Sequence, residues 1–228
     1  MLEVSNVKVY DLEESVIASR NAMRLTPPEY TKDEFEASLK RAIQLANTKN
    51  GSGHKTFLSG IRVSFDLKYP GYISPELQRY HWVDIVTSSS KMHRLLKMDL
   101  NTACNKYVSM RTIVNLQELI NEYNQLSNSD VTIKKFYTRG GKEEIIKGKN
   151  NILYYQWMRI ISDCPQGLEL FMRVSTNYLQ LQNIYHQRKH HRLIDDWQVG
   201  FCKNFVENLP YANEFIIGLN NDGEREED

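Results

Sequence analysis

Between Ile61 and Lys68 apolar and polar residues alternate without a break. Ile61, Val63, Phe65 and Leu67 fall on one side, and Arg62, Ser64, Asp66 and Lys68 on the other. Successive side chains of an extended chain point to opposite faces, so the run is a strand with one face in a core and one in water. Pro70-Gly71 closes it. Leu168, Leu170, Met172 and Val174 repeat the same period after a turn at Pro165-Gln166-Gly167. Strands apolar on one side need another layer packed over that side.

The chain has the helices. Thr31 and Glu34 form a capping box in which each can satisfy a free backbone donor, and Phe35, Leu39, Ala42 and Leu45 follow at helical spacing to about Ala46. Asn50-Gly51-Ser52-Gly53 reads as a flexible turn. Ser74-Pro75-Glu76 opens a second helix, expected to carry Leu77, Gln78, Arg79, His81 and Trp82, and the polar run Thr87–Lys91 interrupts the pattern. A long helix is expected from roughly Thr102 to Asn124, and further helices over 151–162, from Asn177 to about Arg192, and beyond Ile194. Residues 126–150 read as a surface excursion or hairpin within the domain, because the segments after it are needed to complete the core. No internal repeat is present. The expected class is α+β, an antiparallel sheet flanked by helices in a single domain over 1–215, with an acidic, disordered tail over 216–228.

Composition narrows the function. The 29 basic and 28 acidic side chains leave a net charge of +1, so no global field favours a nucleic acid or a membrane surface. Cys104, Cys164 and Cys202 are scattered and odd in number, which is neither a disulfide framework nor a zinc pattern. No long apolar run and no signal-peptide core occur, and a cytoplasmic location is expected. His186, His190 and His191 lie at helical spacing, yet no carboxylate or cysteine nearby in sequence completes a ligand set, so no metal is expected.

Polar residues concentrate in two stretches: Gly53-His54 through Arg79 to Arg94, and Arg159 through Thr176-Asn177 to Arg188. Both place arginines, hydroxyls and amides at or just beyond the ends of amphipathic strands. A phosphate-bearing ligand needs such groups: arginine for paired charge-assisted bonds, hydroxyls and helix-terminal amides for the remaining oxygens.

The order and spacing of these residues resemble the flavin-dependent thymidylate synthases. That family carries an Arg-His-Arg hallmark after a strand that follows a Gly-His pair. Here Gly53-His54 precedes the strand, and the hallmark reads Arg79-Tyr80-His81, then Val86-Thr87, Ser89 and Lys91-Met92. The C-terminal half is closer to the family pattern, with Pro165, the strand 168–175, Asn177, Asn183 and Arg188 at the family's spacing. An arginine usual two residues after the first asparagine is Leu179 here, and Arg159 lies close to the one that usually precedes the proline.

The resemblance implies FAD as cofactor, near His54, Arg79, His81, Asn177 and Asn183. It implies a pyrimidine deoxynucleotide, dUMP, with Ser89 and Lys91 on its phosphate, Arg188 on its base and Arg159 nearby. NADPH and methylenetetrahydrofolate would be co-substrates, the assembly a homotetramer, and no protein nucleophile is required. The departures leave two alternatives. His81 in place of arginine removes a permanent cation, Val86-Thr87 replace an amide and a carboxylate, and Lys91 lacks a two-pronged donor. Each charged hydrogen bond lost would cost about 1.5–3 kcal/mol. The chain is therefore either an active methyltransferase or a flavin-free homologue with a nucleotide-binding or structural role.

Overall fold

The computed structural model describes residues 1–49 and 53–218, so most of the Asn50–Gly53 turn and the acidic end lie outside the described residues. In chain order the elements are β1 (Glu3–Tyr10), α1 (Leu12–Ala18), α2 (Lys32–Ala46), β2 (Arg62–Pro70), α3 (Ser74–Leu77), β3 (Asp84–Ser88) and α4 (Lys91–Arg94). They continue with α5 (Leu100–Ala103), α6 (Met110–Ser127), β4 (Ile133–Tyr137), β5 (Glu143–Lys147), α7 (Lys149–Ser162), β6 (Glu169–Asn177) and α8 (Tyr178–Arg188). A π-helix over Ile194–Lys203 and shorter wide or tight turns finish the chain. The chain divides into two compact units, one of 1–69, 73–89 and 171 onward, the other of 70–72 and 90–170.

The first unit is built on a four-stranded sheet in the order β1-β2-β6-β3. β1 runs antiparallel to β2, and β3 antiparallel to β6. Three contacts set β2 against β6 in the same sense. Tyr178 N–H donates to Ile61 O at 3.0 Å, the hydroxyls of Ser64 and Ser175 lie 3.5 Å apart, and Arg173 meets Asp66 at 3.1 Å. As one strand advances, the other recedes. The alternation read from the sequence is what the sheet uses: Val63, Phe65 and Leu67 are buried with Met172 and Val174, and the residues between them are half-exposed. Full burial of each such side chain contributes about 1.5–3 kcal/mol. Phe65 packs on Phe201 and Phe205, and Phe201 in turn on Trp197. Gly200 lets the π-helix approach β1, because a Cβ there would collide with Leu2 O.

Thr31 caps α2 as expected, its hydroxyl accepting from Glu34 N–H at 3.3 Å. The expected helix from Ser74 to Trp82 is corrected. It stops at Leu77, the chain turns through Trp82 with φ at 65°, and Asp84–Ser88 forms an edge strand exposed along its whole length. β1 is likewise a strand that the sequence did not announce. α8 ends at Arg188, short of Arg192.

In the second unit α6 is capped by Ser109, whose hydroxyl accepts from Thr112 N–H at 3.2 Å. α6 begins at Met110, later than expected, after the separate short α5. It packs on α7 around Ile113, Leu116, Ile120 and Ile160. The segment 126–150 contains the hairpin β4–β5, whose Phe136 is buried with Leu126 and Ile152. No helix among the described residues is long and apolar enough to cross a membrane.

Asp66 on β2 generates a pH prediction. A 2.6 Å bond from the Asn6 amide, followed by the Arg173 guanidinium, holds its carboxyl below the usual carboxylate value. A depressed folded value means that the contribution is complete above the unfolded value and is lost as pH falls through the folded one. Asp66→Asn should therefore flatten the acid side of a Tm-against-pH profile and leave its alkaline side unchanged. The effect is small, because the side chain is 37% exposed.

Candidate functional site

α3 and the turn after it face the end of α8. Proline at the start of α3 fixes its first turn, and this sets Glu76 and Tyr80 a turn apart. Arg188, the last residue of α8, donates from Nε to the Tyr80 hydroxyl at 2.7 Å, and its Nη1 lies 3.3 Å from Glu76 Oε2. The guanidinium also stacks 4.8 Å from the Trp197 ring and 5.6 Å from that of Tyr80. Glu76 Oε2 accepts from the Trp197 indole N–H at 2.6 Å, and Oε1 lies 3.8 Å from His191 Nε2. Leu193 N–H donates to His191 Nδ1 at 3.2 Å, which leaves Nε2 as the ring nitrogen facing the carboxylate. Arginine has five N–H donors, and those on Nη2 are not used in these bonds. The cluster holds the arginine's plane fixed with donors to spare.

Of the other residues expected at the site, Arg79 and His81 flank Tyr80 on the same turn and are exposed. Thr176, buried on β6, donates to Trp82 O at 2.8 Å and ties that turn to the strand end where Asn177 begins α8. The Asn177 carboxamide oxygen caps the helix, accepting from Gln180 N–H at 2.9 Å, so only its amide nitrogen is left for a ligand. Asn183 lies half-buried in the middle of α8. Ser89 extends the pairing of β3 with β6: its N–H donates to Phe171 O, and its hydroxyl accepts from Phe171 N–H at 3.0 Å. The hydroxyl proton remains available.

Lys91 and Arg159 belong to the second unit. Lys91 starts α4, where its charge opposes the rise that burial imposes on the Cys164 thiol. Arg159 donates to Gln156 Oε1 at 3.1 Å and lies 3.6 Å from Glu122, so its guanidinium is partly engaged between α6 and α7.

His54 sits elsewhere in the first unit, in the wall of a cleft of about 950 Å³ between α1, α2 and the tight turn over His54–Ser59. Arg20, Lys40 and Arg41 line it with His54, and no carboxylate is among its described lining residues. Glu34 draws on the edge of this cluster, meeting Arg24 at 2.5 Å and Arg20 at 3.7 Å. Lys55, next to His54, donates to Gln182 Oε1 on α8 at 3.0 Å, which pins the turn to the helix that carries Asn183 and Arg188. Sequence reasoning missed Glu76 and the three cations. The Lys40-Arg41 pair facing Gln44 on one helix was the available signal, but Arg20 joins it only through the fold.

Removing the Glu76 carboxylate should leave the Arg188 cation and the buried Trp197 N–H without their acceptor. Glu76→Ala is expected to cost about 2–3 kcal/mol in a urea titration. Glu76→Gln should cost less, because its amide oxygen can still accept from Trp197.

No protein-family model matches this chain, and no curated protein matches it in sequence. Solved structures do match. One is the flavin-dependent thymidylate synthase ThyX from Helicobacter pylori complexed with FAD and dUMP, with a TM-score of 0.62 and 17% identity over 94% of this chain and 97% of that one. A second ThyX structure from Helicobacter pylori with FAD and dUMP gives 0.61 and 17%, over 95% and 96%. At that identity the likeness is one of architecture: the chain has the ThyX fold.

Proposed function

We propose that this chain is a flavin-dependent thymidylate synthase-like protein that methylates dUMP, with methylenetetrahydrofolate as carbon donor and reduced flavin as hydride donor. The observation that carries the reading is the cleft with three cations and no carboxylate among its described lining residues, in a fold whose Helicobacter pylori examples hold FAD and dUMP. Three cations beside His54 suit the pyrophosphate of a dinucleotide, because charge-assisted bonds to phosphate are the strong ones. Arg20, Lys40 and Arg41 would take that anionic part, and His54, Arg79, His81, Asn177 and Asn183 the rest of the cofactor.

In the first unit Ser89 is the residue we assign to the nucleotide phosphate; in the second, Lys91 and Arg159 are cations of the kind a phosphate takes. Arg188 is suited to a pyrimidine carbonyl: Glu76 and Tyr80 hold its plane, and its unused donors can bind an oxygen without first reorganising. A bound reduced flavin would supply the hydride, with NADPH as the source of its electrons. The chain's own residues bind and orient the reactants, and a homotetramer is the assembly in which we expect them to act.

A second reading has its own support. Val86 and Thr87 stand on an exposed edge strand where the family has an amide and a carboxylate, and Val86 is 64% exposed. A flavin-free homologue with a nucleotide-binding or structural role is consistent with that loss.

Flavin binding separates the two. Protein incubated with FAD and desalted should keep the yellow chromophore, and Arg41→Ala should weaken FAD binding by ~10-fold or more, the loss of one charge-assisted bond. A colourless wild-type protein would favour the flavin-free reading.

A further inference from the structure

Among the described residues, four other than glycine have a positive φ: Asn6, Asp11, Tyr211 and Trp82. Asparagine and aspartate tolerate that region. Tyr211 is held in it by its ring, which packs on Phe35 and Phe215 at 5.9 and 5.6 Å. Trp82 has no such support. Its φ is 65°, its side chain is 70% exposed, and no ring contact to it is found among the described residues. What holds the conformation is its backbone, through the bond from the buried Thr176 hydroxyl to Trp82 O. Glycine would take this φ without a steric cost. This turn instead carries the largest side chain there is, strained at the backbone and displayed to water.

Strain kept by surrounding structure points to a use for the displayed group. The neighbours indicate which. Arg79 and His81 are exposed on the same turn, and neither side chain has a hydrogen-bond partner among the described residues. Tyr80, between them, is committed to Arg188 and to Gln187, so the turn is anchored at that point. A flat indole face with two N–H donors beside it, the Arg79 guanidinium and the His81 imidazole, fits a flat heteroaromatic ring whose edge carries hydrogen-bond acceptors.

We propose that Trp82 is a stacking platform for the heteroaromatic ring of a phosphorylated ligand, a flavin or a pyrimidine nucleotide, with Arg79 and His81 donating to acceptors at the edge of that ring. The synthase reading supplies the two ring systems, and the platform itself follows from the turn.

The test uses the full chain and two probes, FMN and dUMP, followed by equilibrium dialysis. Trp82→Gly should keep the fold and raise the thermal midpoint by ~2–4 °C, because it removes backbone strain. It should also weaken the binding of one of the two probes by ~10-fold or more, and the affected probe identifies the ring that is stacked. Trp82→Tyr, which keeps a flat face, should recover most of that affinity. A structural tryptophan would behave in the opposite way, with a lower midpoint and unchanged affinity, and that result overturns the proposal. A change of oligomeric state in Trp82→Gly, read by light scattering, also overturns it, since the indole would then be a contact between copies. If the wild type binds neither probe, the synthase reading fails. Stacking is then decided by the emission quenched by AMP and other nucleotides in the wild type but not in Trp82→Phe, and an absence of such quenching overturns it.

Discussion

Glu76 is a single carboxylate on a one-turn helix, yet it engages the chain's last long helix and the π-helix beyond it. It accepts from the Trp197 indole, pairs with Arg188 and faces His191. A carboxylate that is largely removed from water is costly unless it is paired and hydrogen-bonded, and these partners meet that demand together. In exchange they are fixed. Trp197 is wholly buried and carries the aromatic packing of the core through Phe201 to Phe65 on β2. Arg188 is oriented at the end of α8. The core and the candidate base-reading residue thus depend on one acceptor. A substitution there should be felt in stability and in ligand binding alike.

Legibility in the sequence followed burial. β2 was readable because one of its faces is in the core and the other is not, so Val63, Phe65 and Leu67 stand out against their neighbours. β3 was not, because all five of its residues are exposed and no alternation is imposed on them. β1 has a register irregularity between Ser5 and Lys8, which breaks the period of two. The helix expected through Trp82 had a sound start at Pro75, but it is ended by tertiary structure: Thr176, almost a hundred residues later, holds the turn.

The candidate site divides in the same way. Arg188, Asn177 and Ser89 could be named from spacing, whereas what each does locally could not. Asn177 gives its carboxamide oxygen to a helix end, and Ser89 gives its lone pair to a strand. Spacing identifies a position, and only packing shows which of its hydrogen-bonding groups are already used. The cleft illustrates the limit further. Its cations come from the end of α1 and from α2, and its histidine from a turn beyond them, so their common field exists only after folding.

The reaction we propose is the transfer of one carbon and a hydride to a pyrimidine deoxynucleotide. It is tested most directly by mass spectrometry of dUMP incubated with the protein, FAD, NADPH and methylenetetrahydrofolate. The account predicts dTMP, formed only when FAD is present and lost in Arg188→Ala. dUMP recovered unchanged from protein that is folded and supplied with every reactant would contradict it.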